Sequence, residues 1–192
     1  VCSSDLIPLI KIQERTAALR AQLMANQRQR NALRDLIEFE KQQVTFEAEK
    51  DSAAAIQEEP PYTMAFLDGL LDAVTVRQMD VEAEALSLRA LRELVSMEYA
   101  DIAAAKTVQN RAGEALRTAS QENRAVLLYD VETARLRVET SESEHEAAKL
   151  ELARTQTHIE LLEAQLRLAQ DRVLAARKQT LFRQEELDAI IQ

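Results

Sequence analysis

The chain has 192 residues, with 24 basic and 33 acidic side chains (a net charge of −9), 2 glycines, 3 prolines and no tryptophan. A compact globular domain of this length would carry about 7% Gly and about 5% Pro for its turns, so this composition is typical of long amphipathic helices with few connections. The acidic balance argues against DNA, RNA or an anionic membrane surface as the main partner. No run of residues approaches the roughly 18 apolar positions that a transmembrane helix requires.

Residues 1–6, with the sequence Val-Cys-Ser-Ser-Asp-Leu, resemble the translation of a sequencing-adapter end read GTG TGC TCT TCC GAT CT. We interpret them as a non-native artefact on a metagenomic fragment; the alternative is a genuine polar N-terminus. On the first interpretation Cys2 is not native, and cysteine usage does not inform on the redox compartment. No signal peptide is visible. We expect truncation at both ends, because the chain stops just after a new apolar helical pattern has begun.

The first predicted helix covers about 9–56. Its apolar residues follow the alternating spacing of four and three residues that is typical of a coiled-coil seam. Asn26, Arg30 and Glu40 interrupt this seam, and Leu36, Phe39 and Phe46 broaden the apolar face. The predicted seam consists of Ile12, Thr16, Leu19, Leu23, Asn26, Arg30, Leu33, Ile37, Glu40 and Val44.

The clearest break in the chain is 57–63, which contains Pro60 and Pro61. Adjacent prolines cannot lie inside a helix, and two long helices joined by so short a loop fold back antiparallel most easily. The segment is therefore interpreted as a turn. A Pro-Pro-Tyr string also suggests a WW-domain ligand, but the usual form has a residue between the prolines and the tyrosine.

The second predicted helix covers about 64–115. Its seam is widened by Leu70, Leu91 and Leu94, which suggests contact with more than one neighbouring helix. Gly69 marks a close approach or a slight irregularity. The predicted seam consists of Leu67, Leu71, Val74, Gln78, Val81, Ala85, Leu88, Arg92, Val95, Tyr99, Ile102 and Lys106.

A second, softer break lies at 113–123. Gly113 is a candidate helix cap, and the residues from Thr118 to Gln121 fit the capping-box pattern that starts a helix. The apolar stripe disappears here and restarts at Val126, which favours a turn; a continuous or bent helix is the alternative.

The third predicted helix, about 120–178, carries the most continuous seam and contains no glycine or proline. Leu150, Leu161 and Leu168 lie beside this seam and provide a second apolar face. The start of a further helix is predicted at 183–192. The seam consists of Leu127, Val131, Ala134, Val138, Ser141, His145, Ala148, Leu152, Thr155, Ile159, Leu162, Leu166, Ala169, Val173, Ala176 and Thr180.

Few residues could carry chemistry. His145 and His158 are thirteen residues apart, or roughly 20 Å along a straight helix, so one helix cannot offer both to a single metal. His145 lies among glutamates at 142, 144 and 146. It is interpreted as a proton-sensitive point, as part of a polar layer beside Ser141 that fixes helix register, or as a histidine at a partly open position. No phosphate-binding glycine loop or nucleophile motif is present. We therefore assign no catalytic, cofactor-binding or metal-binding residue, and expect no enzyme.

Three segments carry a family resemblance. Residues 59–63 (Glu-Pro-Pro-Tyr-Thr) and 66–72 (Phe-Leu-Asp-Gly-Leu-Leu-Asp) together resemble a junction in large members of the small-conductance mechanosensitive channel superfamily, and 180–188 resembles the start of the next helix there. The resemblance covers nearly the whole chain after Leu6. It implies a periplasmic helical region of a homo-oligomeric inner-membrane channel that opens under membrane tension. The pore helices and β-rich cytoplasmic domain that define the superfamily are not in this sequence, so no pore residue is assigned.

The sequence thus predicts an all-α fold: an elongated antiparallel bundle of three long coiled-coil-like helices plus the start of a fourth, in a single region 7–192. The resemblance implies a non-catalytic periplasmic extension whose partners are the rest of its own chain and like subunits, with no nucleic acid. One alternative is a generic coiled-coil scaffold or tether, cytoplasmic or in the envelope. Another is the helical hairpin of an efflux or secretion adaptor, although its flanking β-rich lipoyl-like halves are not visible.

Overall fold

The computed structural model describes residues 7–56 and 58–180. They contain three long α-helices: α1 (Leu9–Ala54), α2 (Met64–Arg117) and α3 (Arg124–Arg177). The predicted all-α bundle of three long helices is confirmed, and α3 packs against both α1 and α2. The predicted helix start at 183–192 and the six residues interpreted as an artefact lie outside the described residues.

The chain divides into two compact units, and each contains a section of every helix. The first unit comprises Val1–Leu36 and Arg89–Arg154; the second comprises Ile37–Leu88 and Thr155–Gln192. The sequence was interpreted as a single region, 7–192. No glycine or proline stands at the three points of division, so the composition does not mark them.

Helices α2 and α3 run antiparallel. In the first unit, Lys106 pairs with Glu142 at 2.9 Å, and the ring of Tyr99 lies 5.8 Å from that of His145. Between these two contacts the residue numbers fall along α2 while they rise along α3, so the two helices run in opposite directions. This is the direction expected of two helices joined by a short turn.

Helices α1 and α3 run parallel. In the first unit, the Gln22 amide donates to Glu139 at 2.9 Å, and the Ser143 hydroxyl lies 3.0 Å from the Asn26 amide oxygen. Both pairs are 117 residues apart along the chain. This constant separation shows that the two helices keep one register through these turns.

The packed face of α1 is formed largely by small and polar residues. In the first unit Ala18, Ala25 and Ala32 are buried and recur every seven residues, which keeps them on one side of a coiled-coil helix. Small side chains at a helix contact shorten the distance between the helix axes. The buried or half-buried positions of α1 that follow this spacing are Lys11, Arg15, Ala18, Gln22, Ala25, Gln29, Ala32, Leu36, Phe39, Gln43 and Phe46. Glu14, Arg28 and Asp35, which lie beside them, are also half-buried.

The predicted seam of α1 is therefore wrong by one residue: every one of its ten positions is exposed. The predicted alternation of four and three residues is correct for α1, but the stripe that carries the most apolar side chains is exposed and a neighbouring stripe is buried. Polar side chains on the packed face, such as Lys11 and Arg15, pair with carboxylates of α3. The packed face of α1 is thus the one that carries the alanines and the charge-paired side chains, and hydrophobicity alone does not reveal it.

The predicted seam of α2 is half right. Leu67, Val74, Val81, Ala85, Leu88, Val95 and Ile102 are buried or half-buried, whereas Leu71, Gln78, Arg92, Tyr99 and Lys106 are exposed. The three leucines expected to widen the seam, Leu70, Leu91 and Leu94, are half-buried. The packed face of α2 is therefore rotated about the helix axis, relative to the predicted seam, toward these three leucines. Of the two roles predicted for Gly69, a close approach or a slight irregularity, the close approach is wrong, because no neighbouring atom lies within 4 Å of the place its Cβ would take.

The predicted seam of α3 is confirmed at all of its positions from Leu127 to Thr180, each buried or half-buried. Leu161, on the predicted second face, is also buried, and Leu150 and Leu168 are half-buried. Helix α3 is therefore packed on two sides, as a helix with two neighbours requires.

The proline segment forms the turn between α1 and α2, as predicted. Tyr62 is buried: its backbone N–H donates to the Gln179 carbonyl at 3.1 Å, and its hydroxyl donates to the Glu58 carbonyl at 3.2 Å. The Thr63 hydroxyl accepts the Phe66 N–H at 3.2 Å and caps α2. A WW-domain ligand would present its tyrosine to a partner, and the burial of Tyr62 argues against that alternative.

The second break is a turn and not a bend. Helix α2 continues past Gly113, which has no positive φ, and ends at Arg117. The Thr118 hydroxyl donates back to the Glu114 and Ala115 carbonyls at 3.3 and 3.2 Å, so the predicted capping box starting there is wrong. The first helical bond of α3 runs from Leu127 N–H to the carbonyl of Asn123.

Candidate functional site

All three helices of the first unit contribute to one group of charged side chains. The Arg28 cluster consists of Arg28 from α1, Glu98 from α2, and Glu144 and Glu151 from α3. Arg28 Nε donates to Glu151 Oε1 at 2.9 Å and Nη2 donates to Oε2 at 2.8 Å. This two-point geometry is the strongest form of the arginine–carboxylate pair. The two partners are 123 residues apart along the chain.

The environment of the Arg28 cluster shifts the pKa of two of its members, Arg28 and Glu144. Hydrogen bonding to Glu151 raises the pKa of the Arg28 guanidinium above its ordinary value, and the charges of Glu151, Glu98 and Glu144 add to this against the effect of burial. Burial raises the pKa of the Glu144 carboxyl, as does repulsion from Glu98 and Asp101, while Arg28 opposes this rise. The cluster thus gathers more negative than positive charge at one level of the bundle.

A groove of about 530 Å³ lies beside the cluster in the first unit. Both charged ends of the Arg28–Glu151 pair are engaged with each other, which is a structural role and not that of a poised acid, base or nucleophile. The geometry supports a tie between α1 and α3. Residues from each helix line the groove: Met24, Gln27, Arg28, Asn31, Ala32, Asp35, Leu91, Glu151 and Arg154.

His158 lies in the second unit between the other two helices. Its Nδ1 is 2.7 Å from Glu84 Oε1 on α2, and its ring is 4.6 Å from the ring of Phe39 on α1. Sequence reasoning missed this arrangement, because nothing in a single helix shows which residue of another helix will face it. The contact fixes the register of three helix sections at one level.

His145 is half-buried in the first unit, facing Tyr99 of α2. Its Nδ1 is buried and has no hydrogen-bond partner among the described residues. The structure therefore places the two histidines in different units, each against α2. Over residues 7–56 and 58–180 there is no group of three or more His, Cys, Asp or Glu side chains arranged to hold a metal ion.

The outer surface of α1 is the other unusual feature. Large apolar side chains stand exposed along it, although in a helix with only one buried face they would normally point inward. None of the helices in the described part of the chain has a stretch long and apolar enough to span a bilayer. The exposed apolar residues of α1 in the first unit are Leu9, Ile10, Ile12, Leu19, Leu23, Met24 and Leu33.

Comparison with protein-family models, with curated proteins and with solved structures finds no match to this chain.

Proposed function

We propose that this chain is a non-catalytic helical module that acts by assembling with other protein, and that it forms the periplasmic extension of a mechanosensitive channel subunit. The observation that carries the assembly role is the exposed apolar surface of α1. Leu23 and Met24 are 66% and 68% exposed in the middle of the helix, where exposure of apolar area to water is unfavourable. Seven large apolar side chains of α1 are exposed in the first unit, and exposed apolar surface, where it forms a patch, is typical of a protein–protein contact.

The channel role rests on the resemblance of 59–63 and 66–72 to the superfamily junction. Those residues build one structural feature in the second unit: Tyr62 and Leu67 form a buried cluster with Val173 and Ala176. The resemblance thus falls on residues with a packing role at the α1–α2 turn, where a related chain would need the same residue types.

A coiled-coil scaffold or tether is the second candidate, because the same apolar surface would serve it equally. The adaptor hairpin is less well supported. It calls for one pair of helices, whereas α3 here packs against a third helix in parallel register.

The channel role is tested in a bacterial strain that lacks mechanosensitive channels. The gene that encodes this chain, with its flanking sequence, is expressed and the cells are diluted abruptly into low-osmolarity medium. We expect survival above that of the empty vector, and tension-activated currents in patches of the inner membrane. Wild-type expression without rescue and without currents would leave the scaffold as the better proposal.

Localisation is tested by inserting a protease site after Glu122, in the exposed turn between α2 and α3. We expect cleavage when protease is added to spheroplasts. The same site inserted in a cytoplasmic reporter of the same cells is the control and should be cut only after lysis. Protection of the Glu122 site until lysis would place the chain in the cytoplasm and contradict the periplasmic role.

A further inference from the structure

The outward face of α1 in the first unit is basic as well as apolar. The segment 9–36 contains six basic and two acidic residues. Three of the basic residues, Lys11, Arg15 and Arg28, pair with carboxylates of α3. The other three are exposed and make no ion pair with the described residues; they lie among exposed apolar side chains. We define the basic face as Arg20, Arg30, Arg34, Leu9, Leu23 and Met24.

The outward face of α2 in the second unit has the opposite charge. The segment 64–88 contains five acidic residues and one basic residue. The basic residue, Arg77, has Asp80 as its partner at 3.7 Å. Three of the other acids lie among exposed apolar side chains on the side of α2 that faces away from α3. We define the acidic face as Asp68, Asp72, Glu82, Val76, Met79 and Leu86.

The charges on the two faces have matching spacing. The arginines are separated by ten and then four residues, and the acids by four and then ten. If the two helices lie antiparallel, a single register sets Arg20 opposite Glu82, Arg30 opposite Asp72 and Arg34 opposite Asp68. The same register sets Leu23 opposite Met79, so that apolar side chains meet between the charge pairs.

We propose that a second copy of this chain docks its acidic α2 face, antiparallel, onto the basic α1 face in this register. The contact would remove exposed leucine and methionine from water, which is the main favourable term in association. The three charge pairs would fix register and exclude a slipped alignment. This inference depends on one part of the proposed function, namely that the chain assembles with other protein. It adds the two surfaces through which copies of the chain would meet.

An anionic membrane surface and an unrelated acidic helix are the other occupants that a basic apolar face fits. Neither accounts for the acidic face on α2. The second copy accounts for both faces with one contact, because the spacing of one is the reverse of the other.

Cross-linking tests the register directly. Leu23→Cys and Met79→Cys are made in separate chains, each with Cys2→Ser so that no other thiol is present. Both positions are exposed, so neither change removes buried area. After mixing and mild oxidation we expect a disulfide-linked dimer on a non-reducing gel. Neither variant alone should form it to the same extent.

The matched control pairs Leu23→Cys with Leu86→Cys. Position 86 lies on the same face as 79 but seven residues further along, which is about 10 Å of helix. We expect cross-linking of this pair to be at least about fivefold weaker, because a disulfide requires Cα atoms within about 7 Å. Equal yields from both pairs, or none from either, would overturn the proposed register.

Charge reversal tests whether the molecule that docks on the basic face is a second copy of this chain. Sedimentation equilibrium of the intact chain at low salt should show self-association. Arg20→Glu with Arg30→Glu, or Asp72→Lys with Glu82→Lys, should each weaken that association by about tenfold, because two attractions become repulsions. An equimolar mixture of the two reversed chains should associate again. The control, Glu122→Lys with Arg124→Glu, inverts two exposed charges near the α2–α3 turn and should change nothing.

Three results would overturn the proposal. The first is a chain that stays monomeric at every concentration and salt. The second is association that either reversal leaves unchanged. The third is binding of the monomer to phosphatidylserine vesicles that is lost with Arg20→Glu and Arg30→Glu, which would assign the face to a membrane. All three leave the osmotic-shock test unaffected, so failure of this contact is distinguishable from failure of the channel role.

Discussion

Ala25 and Leu23 are two residues apart on α1 and lie on opposite sides of it. Ala25 lies on the side of α1 that faces α3 and is only 3% exposed to solvent, whereas Leu23 is 66% exposed. Two residues in an α-helix are separated by about 200° around the axis, so only one of them can face a given neighbour. The bundle buries the smaller side chain and leaves the larger one outside.

Enlarging Ala25 should therefore harm the fold more than truncating Leu23. We expect Ala25→Leu to lower the free energy of unfolding by about 1–3 kcal/mol, because the extra atoms have no space at a close helix contact. We expect Leu23→Ala to change it by less than about 0.5 kcal/mol, as for other exposed positions. Urea unfolding followed by circular dichroism, at concentrations below any self-association, measures both. The reverse order would mean that the leucine stripe is the packed face.

Loss of Arg28 should destabilise the first unit modestly. Arg28→Met removes the two-point bond to Glu151 and a cation whose charge attracts Glu144 and Glu98. Both partners are about one-third exposed, so we expect a loss of about 1 kcal/mol, at the upper end for exposed pairs. Urea unfolding of the intact chain measures it. A matched double variant, Arg28→Met with Glu151→Met, should recover most of the loss, because no carboxylate is then left without its partner.

Glu144 should make the fold weaker at neutral pH than in mild acid. Its pKa is raised in the folded state, so the folded chain holds this proton more tightly than the unfolded chain does. Stability then rises as pH falls through the folded pKa toward the ordinary carboxyl value.

We therefore expect Glu144→Gln to be more stable than the native chain at pH 7, and the difference to shrink as pH is lowered into the ordinary carboxyl range. Thermal unfolding across that pH range measures the difference. Glu122→Gln, in the exposed α2–α3 turn, is the control and should show no such trend. A Gln variant that is less stable at pH 7 would show that Glu144 makes a net favourable contact.

Replacing either glycine with alanine should stabilise the fold. Gly69 and Gly113 lie inside α2 without positive φ, and an added Cβ at either site meets nothing within 4 Å. We expect Gly69→Ala and Gly113→Ala each to raise the free energy of unfolding by about 0.5–1 kcal/mol, because alanine has less freedom to lose in the unfolded chain. The two gains should add, since the sites are far apart in the helix. A loss at either site would indicate a contact at that position.

Tyr62 should matter through both its ring and its hydroxyl. Tyr62→Phe keeps the stacked contact with Phe66, at 5.1 Å between ring centres, but loses the bond to the Glu58 carbonyl. We expect a loss of about 0.5–1.5 kcal/mol. Tyr62→Ala should cost clearly more, because it also empties the cluster that contains Leu67 and Val173. Equal effects of the two variants in urea unfolding would mean that the ring contributes little.

The sequence by itself determined the class of fold, the turn at Pro60 and Pro61 and the packed face of α3. Spacing of four and three residues defines a helix seam wherever apolar residues are continuous, and they are continuous from Leu127 to Thr180. Adjacent prolines at 60 and 61 exclude a helix on steric grounds alone. These are local constraints, and a single chain segment is enough to show them.

Only the tertiary structure decided which face α1 turns inward and which residues meet. A helix that carries alanines on one side and leucines on the other is compatible with burial of either side. The outcome depends on a neighbour whose position the sequence does not give. In the structure α1 turns toward α3 the side on which Lys11, Arg15 and Arg28 pair with carboxylates more than a hundred residues away in the chain. The leucines are exposed as a result, and with them the surface on which the proposed contact with a second copy depends.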